Sequence, residues 1–174
     1  MDLKDLIAMA GGGNSVGELA GSLGIDSSSA SDLIGALSPA LAKGLQKQGE
    51  ASGGLDVLQD ILKGGSHQKY IDQPELMKDT ATRDDGNKIL GHLFGEKEVS
   101  RQVAAKASEQ TGLDTGLIKK ALPMIAGLVM AAMSKKTTEQ SASSGGLGDL
   151  LGGLVGGGDD GGIGDLIGLA KKLL

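Results

Sequence analysis

Apolar residues recur at helical spacing along most of this chain, and glycine interrupts the pattern before it runs far. Leu3, Leu6, Ile7 and Ala10 stand at i, i+3, i+4 and i+7, and Gly11-Gly12-Gly13 follows at once. Such a rhythm gathers the apolar side chains into one stripe on a helix, which must be covered by another element. A succession of short striped helices has one general solution, helix packed on helix, and no stretch alternates convincingly as a strand would. The expected fold class is therefore all-α.

Further segments follow the same logic. Val16 to Leu23 is the next helix, with Asn14 or Ser15 as its cap and Gly24 as its stop. Asp26 or a following serine caps a longer helix to about Gln48, through Leu33, Ile34, Leu37, Leu41 and Leu45. GEASGG at 49–54 reads as a linker, and Leu55 to Lys63 as a helix ending at Gly64-Gly65. Residues 66–86 are polar and read as a connecting loop, with one short helix around Pro74–Lys78 and a turn at Asp84-Asp85-Gly86. Helices are expected at Lys88–Phe94, closed by Gly95, and at Glu98–Gln110, broken by Gly112. Asp114 or Thr115 caps an apolar helix over 116–135. The expected organisation is an N-terminal helical repeat (1–65), the polar loop (66–86), a C-terminal helical repeat (87–136), a flexible linker (137–146, TTEQSASSGG) and a Gly/Leu-rich tail (147–174).

Tyr70 and Phe94 are the only aromatic residues, so the core must be built from Leu, Ile, Val, Ala and Met. Met124, Met130 and Met133 are expected to fill gaps that rings leave elsewhere. Net charge is −5, which argues against a general attraction to nucleic acid or anionic lipid. With no cysteine there are no disulfides, thiolate nucleophiles or zinc–thiolate sites, and a reducing compartment fits. The N-terminus MDLKDLIAMAGGG lacks the basic and long apolar parts of a signal peptide. The longest apolar run, Ala121 to Met133, has 13 residues, against about 20 for a bilayer-spanning helix. A buried core helix is expected there, and a cytoplasmic location for the whole.

One phrase occurs twice. VGELAGSLGIDSSSASDLIGALSPALAKGL (16–45) and VAAKASEQTGLDTGLIKKALPMIAGLV (103–129) each give a helix, a Gly-Ile-Asp or Gly-Leu-Asp break, and a helix carrying Pro39 or Pro123. From Asp to Pro is 13 positions in the first and 9 in the second, a difference near one helical turn, so the second helix is expected to keep its face. Ala20, Gly24, Ala30 and Ser108, Gly112, Ile118 also fit the spacing of a helix-turn-helix. Base reading needs basic and amide side chains facing the groove. The first copy offers Asp26, Ser27, Ser28, Ser31 and Asp32, and the second only Thr115, Lys119 and Lys120, with Arg101 nearby. Packing is the better reading, and nucleic-acid binding through 103–122 is the alternative.

A second phrase, Asp followed by two apolar residues, occurs at Asp5-Leu6-Ile7, Asp32-Leu33-Ile34, Asp60-Ile61-Leu62, Asp149-Leu150-Leu151 and Asp165-Leu166-Ile167. In the tail, Leu147, Leu150, Leu151 and Leu154 form one stripe; Ile163, Leu166, Ile167, Ala170, Leu173 and Leu174 form another. Helical pieces over 147–155 and 163–173, hinged at Gly156–Gly162, are expected. Each interior glycine costs about 1 kcal/mol against alanine, so such pieces fold only when the stripe is covered. The cover is the chain's own body, another copy or a membrane. Four aspartates against Lys171 and Lys172 place anionic lipid last, and a second copy is slightly favoured.

No constellation of catalytic or metal-binding residues emerges. His92 has no second histidine near it, since His67 lies 25 positions away in a polar stretch, and it reads as a partly exposed helix residue. Asp84-Asp85 lacks the alternating oxygens of a calcium loop, and Asp159-Asp160 reads as a solvated break. Ser27-Ser28-Ser29 serves capping, and neither Gly11-Gly12-Gly13 nor Gly156-Gly157-Gly158 has the surroundings of a phosphate loop. No cofactor is expected.

The stretch DGNKILGHLFGEKEV with AAKASEQTGLDTGLIKKALPMIAGLVMAAMSKK resembles the DUF937 (YidB-like) family of bacterial proteins of unknown function. The resemblance rests on Asp85-Gly86, Ile89-Leu90-Gly91-His92-Leu93-Phe94-Gly95, Gly112-Leu113-Asp114 and Leu122-Pro123. It covers 84–136 closely and 1–65 more loosely, and the Gly-Leu-rich end is similar too. It implies a small all-α, homeodomain-like fold and a bacterial source, and it brings no active site. The expected function is a non-enzymatic helical interaction protein that forms homo-oligomers through short amphipathic helices. A membrane-peripheral role for the tail ranks third, after nucleic-acid binding.

Overall fold

A computed structural model describes residues 3–64 and 67–140, side chains excepted at 55, 63, 64 and 138–140. The expected tail, 147–174, and residues 141–146 of the linker lie outside them. The fold is all-α. The helices are α1 (Leu3–Met9), α2 (Gly13–Leu23), α3 (Ser27–Glu50), α4 (Gly54–Gly64), α5 (Lys69–Asp72), α6 (Thr80–Phe94), α7 (Lys97–Thr111) and α8 (Thr115–Gln140), with a 3-10 turn at Pro74–Lys78.

One helix organises the rest. Every residue of α8 from Ala121 to Ser134 is buried, on all sides of the helix. The run ALPMIAGLVMAAMS carries no charge, so it has no face to offer water and must be sheathed. All seven other helices pack against it. Each brings its own stripe: Leu3, Leu6 and Ile7 from α1, Leu33, Leu37, Leu41 and Leu45 from α3, Ile89, Leu90 and Leu93 from α6. Met124, Met130 and Met133 are buried at 0–1% exposure, as is Met77. The segments 3–64 and 80–136 thus share one core. Thr115–Thr137 is long and apolar enough to cross a membrane, longer than the uninterrupted apolar run suggests, but 78% of its most apolar window is buried in the protein, which suits a core helix.

The breaks between helices are chemically legible. Gly24 and Gly112 end α2 and α7 with φ of 70° and 71°, the left-handed region where a side chain is strained. Two residues later, Asp26 Oδ1 accepts from the Ser29 amide at 2.9 Å, and Asp114 Oδ2 from the Leu117 amide at 3.1 Å, starting α3 and α8. The two halves of the first repeated phrase close alike at the turn. Beyond it they diverge: Pro39 is exposed and Pro123 buried, so the two prolines do not share a face.

Three local expectations are corrected. Neither Asn14 nor Ser15 caps α2, which starts at Gly13 with no side-chain cap; Ser15 is buried and donates to the Tyr70 carbonyl at 2.7 Å. Asp84-Asp85-Gly86 is not a turn, because α6 begins eight residues earlier than Lys88. Its buried face reads Thr82, Gly86, Ile89, Leu90 and Leu93, and packing against α8 outweighs the poor propensity of its first half. The apolar helix runs to Gln140 rather than 135, so 137–140, expected as linker, is helical.

Candidate interaction surface

The Asp-apolar-apolar phrase, which Asp56-Val57-Leu58 also carries, behaves alike at each of its four occurrences among the described residues. The aspartate is exposed and the pair turns inward. Leu6 and Ile7 are 2% exposed, Leu33 and Ile34 0% and 2%, Leu58 0% with Val57 half-buried, and Leu62 8% with Ile61 half-buried. Adjacent apolar residues with others three and four positions away make a ridge that fits between neighbouring helices. The residues expected to drive self-association, Leu147, Leu150, Leu151, Leu154, Ile163, Leu166, Ile167 and Leu173, lie outside the described residues.

Two hollows flank α1. The larger, about 380 Å³, lies between α1, α2 and the start of α3. Ile7, Val16 and Ile34 give it an apolar wall, and Ala8, Gly13 and Ser31 keep it open by being small. Lys4 stands at its edge and also borders the second, more polar hollow of about 290 Å³, where α1 and α3 meet the end of α7. Nothing in the periodicity announces these hollows, because they arise where three helices fail to close.

Of the four positions of the nucleic-acid alternative, three stand at the start of α8 and one on α7. Lys119 and Lys120 are exposed on the first turns of α8, and Thr115 is half-buried. Arg101 is ten residues before the end of α7, about 15 Å along its axis from the turn into α8. It is already paired with Glu98 at 3.1 Å. From Ala121 to Ser134 α8 has no exposed face to lay in a groove. On the first copy, Asp26 is occupied by its own helix: Ser28 Oγ donates at 2.5 Å and Ser29 Oγ at 2.7 Å. These bonds, Ser28 foremost, hold its carboxyl well below the usual carboxylate range.

The most polar point of the interior surrounds Tyr70, which is 1% exposed. Its hydroxyl donates to Asp85 Oδ2 at 2.5 Å, joining α5 to α6. The ring lies over Gly127 of α8, and the Lys69 ammonium is 5.0 Å from its centroid. Burial, with the bond to Asp85, raises the Tyr70 hydroxyl above its ordinary value. His67, 6% exposed, sits 6.1 Å from that ring and bonds the Ile61 backbone, while its Nδ1 has no partner. Desolvation pushes the imidazole down. Nothing in the periodicity announces this cluster, since Ser15 and Asp85 lie 55 and 15 positions from Tyr70. It ties α2, α5, α6 and α8 together. His92, by contrast, is exposed. Among the described residues no three His, Cys, Asp or Glu side chains come close enough to hold a metal.

These features define a helical protein wrapped around one buried helix. Residues 5–136 match the profile of a bacterial protein of unknown function, DUF937, and the chain belongs to that family. No curated protein and no solved structure matches it.

Proposed function

We propose that this protein is a non-enzymatic helical interaction protein that self-associates through short amphipathic helices. The observation that supports the reading is the shared behaviour of the Asp-apolar-apolar phrase. Wherever the phrase is described, it docks a helix by its apolar pair with the aspartate in water. Two more copies, Asp149-Leu150-Leu151 and Asp165-Leu166-Ile167, follow the body, in a segment whose glycines prevent it from standing as helix unsupported. A segment of one copy seated on the next is a heterologous contact, able to propagate. The test is the molar mass in solution of the full chain beside a chain ending at Gln140. A larger, concentration-dependent mass for the full chain alone supports the proposal; equal monomeric masses refute it.

A further inference from the structure

We propose that residues 67–79 form a strap over α8 whose opening is favoured by protonation of His67. At neutral pH the strap stays closed; in acid it increasingly uncovers the apolar middle of α8. The inference does not depend on self-association.

The strap consists of α5 and the 3-10 turn at Pro74–Lys78, which lie against α8 and α2. The Tyr70 ring covers Gly127, with ring carbons 3.6 and 3.7 Å from where a Cβ on that glycine would stand. Gly127 belongs to the uncharged run 121–134. Ile71 and Met77 are buried beside it, at 6% and 0% exposure. A single turn of α-helix and a 3-10 turn carry little stability of their own, so the strap depends on what ties it to the body. Ser15 Oγ donates to the Tyr70 carbonyl, the Tyr70 hydroxyl to Asp85, and Thr82 Oγ1 to the Leu76 carbonyl. The pairs Lys135–Asp72 and Lys78–Glu18 lie at the surface, where ion pairs contribute little. A segment held this way opens before the body unfolds.

His67 fastens the strap to α4. Its ring is 6% exposed and bonds the Ile61 backbone through Nε2, while Nδ1 is buried with no partner. A neutral Nδ1 carries only a lone pair, which that position tolerates. A protonated Nδ1 is a donor, and a buried donor without an acceptor is a cost that opening removes. Two charged side chains act on the ring: Asp85 of α6 favours the imidazolium, and Lys69 of α5 opposes it. Asp85 is already engaged by the Tyr70 hydroxyl and stands 3.8 Å from the Lys88 ammonium. Lys135 of α8 and Glu18 of α2 are taken by Asp72 and Lys78 of the strap. Burial outweighs the pull of Asp85, so the closed ring holds a proton less readily than the open one. Opening therefore takes up one proton once the pH falls below about 6.5, the ordinary value for histidine. Each pH unit below that raises the open population by up to about tenfold, until the closed ring itself is charged.

Native-state hydrogen exchange on the full chain, from about pH 7.5 to about pH 5 and corrected for the intrinsic rate, tests this. The amides of Tyr70, Ile71 and Asp72, bonded to the carbonyls of His67 and Gln68, report on the strap; those of Leu37 and Leu41 in α3 report on the body. The strap amides are expected to be less protected than those of α3 at every pH. Below about pH 6.5 their protection should fall by up to about tenfold per unit. Dilute urea should hasten exchange in α3 far more than in the strap, because opening the strap exposes little surface. His67→Gln, which keeps a donor for Ile61, should remove the pH dependence of the strap. Equal protection of strap and α3, strap protection that ignores pH, or the same fall in His67→Gln overturns the inference. The wild type alone gives a second reading by NMR: the His67 ring should titrate with a midpoint below about 6.5. A midpoint at or above that value overturns the inference whether or not the variant folds.

Discussion

Two glycines of α6 are expected to respond in opposite directions to the same substitution. Gly86 packs directly on α8: a Cβ there would fall inside the van der Waals envelope of the Pro123 carbonyl, with the Pro123 carbonyl carbon and Cα close behind. These are backbone atoms of a helix buried on every side, so no flexible side chain can yield. Gly86→Ala must push α6 off α8, and overpacking of this kind costs about 1–3 kcal/mol, more when backbone has to move. The gain from replacing a helical glycine offsets about 1 kcal/mol of that. Because backbone must move, the cost falls at the upper end of that range, and a net loss of about 2 kcal/mol is the expectation. Gly91 lies on the exposed face of the same helix with nothing within 4 Å of a Cβ. Gly91→Ala therefore keeps only the propensity term and gains up to about 1 kcal/mol. Urea unfolding of both variants, with the slope unchanged, reads the difference as a shift in midpoint. Equal shifts, or a stabilised Gly86→Ala, would refute the close approach of α6 to α8.

Three further outcomes follow from the polar groups. Tyr70→Phe removes the bond to Asp85 and should cost about 1 kcal/mol at neutral pH, since Asp85 keeps some access to water. Because the folded-state value of Tyr70 is raised, its contribution is present below about pH 10 and fades above it, and only the wild type should show that alkaline loss in pH-dependent unfolding. His67 has a lowered value, so it favours the fold above about pH 6.5 and loses that contribution as pH falls; His67→Gln should flatten the acid limb of the stability profile. Asp26 is also lowered, so Asp26→Ala should destabilise at neutral pH, and its difference from wild type should shrink below about pH 4.

What the sequence revealed was local chemistry. A break at Gly24 or Gly112, followed two residues later by an aspartate, starts a helix wherever it stands, because both groups act within four residues. The uncharged run 121–133 announces its own burial. The hidden part depended on partners remote in sequence. Thr82 and Gly86 read as polar and helix-breaking, yet they are the inner face of α6, and only α8 makes them so. Ser15 reads as a cap but finds its acceptor 55 residues away at Tyr70. His67 reads as a loop residue and is buried under that same ring. The larger hollow has no signature at all, being the space left among three helices.

Self-association through the last apolar stripe is the central claim, and sedimentation equilibrium on the full chain carrying Leu166→Ser and Ile167→Ser tests it most directly. Burial of each such side chain contributes about 1.5–3 kcal/mol, so losing two weakens association by about 3 kcal/mol or more. That is roughly a hundredfold in Kd. The account predicts an associating wild type and a monomeric variant with the same melting transition for its body. A variant whose mass follows that of the wild type across the same concentrations would contradict it.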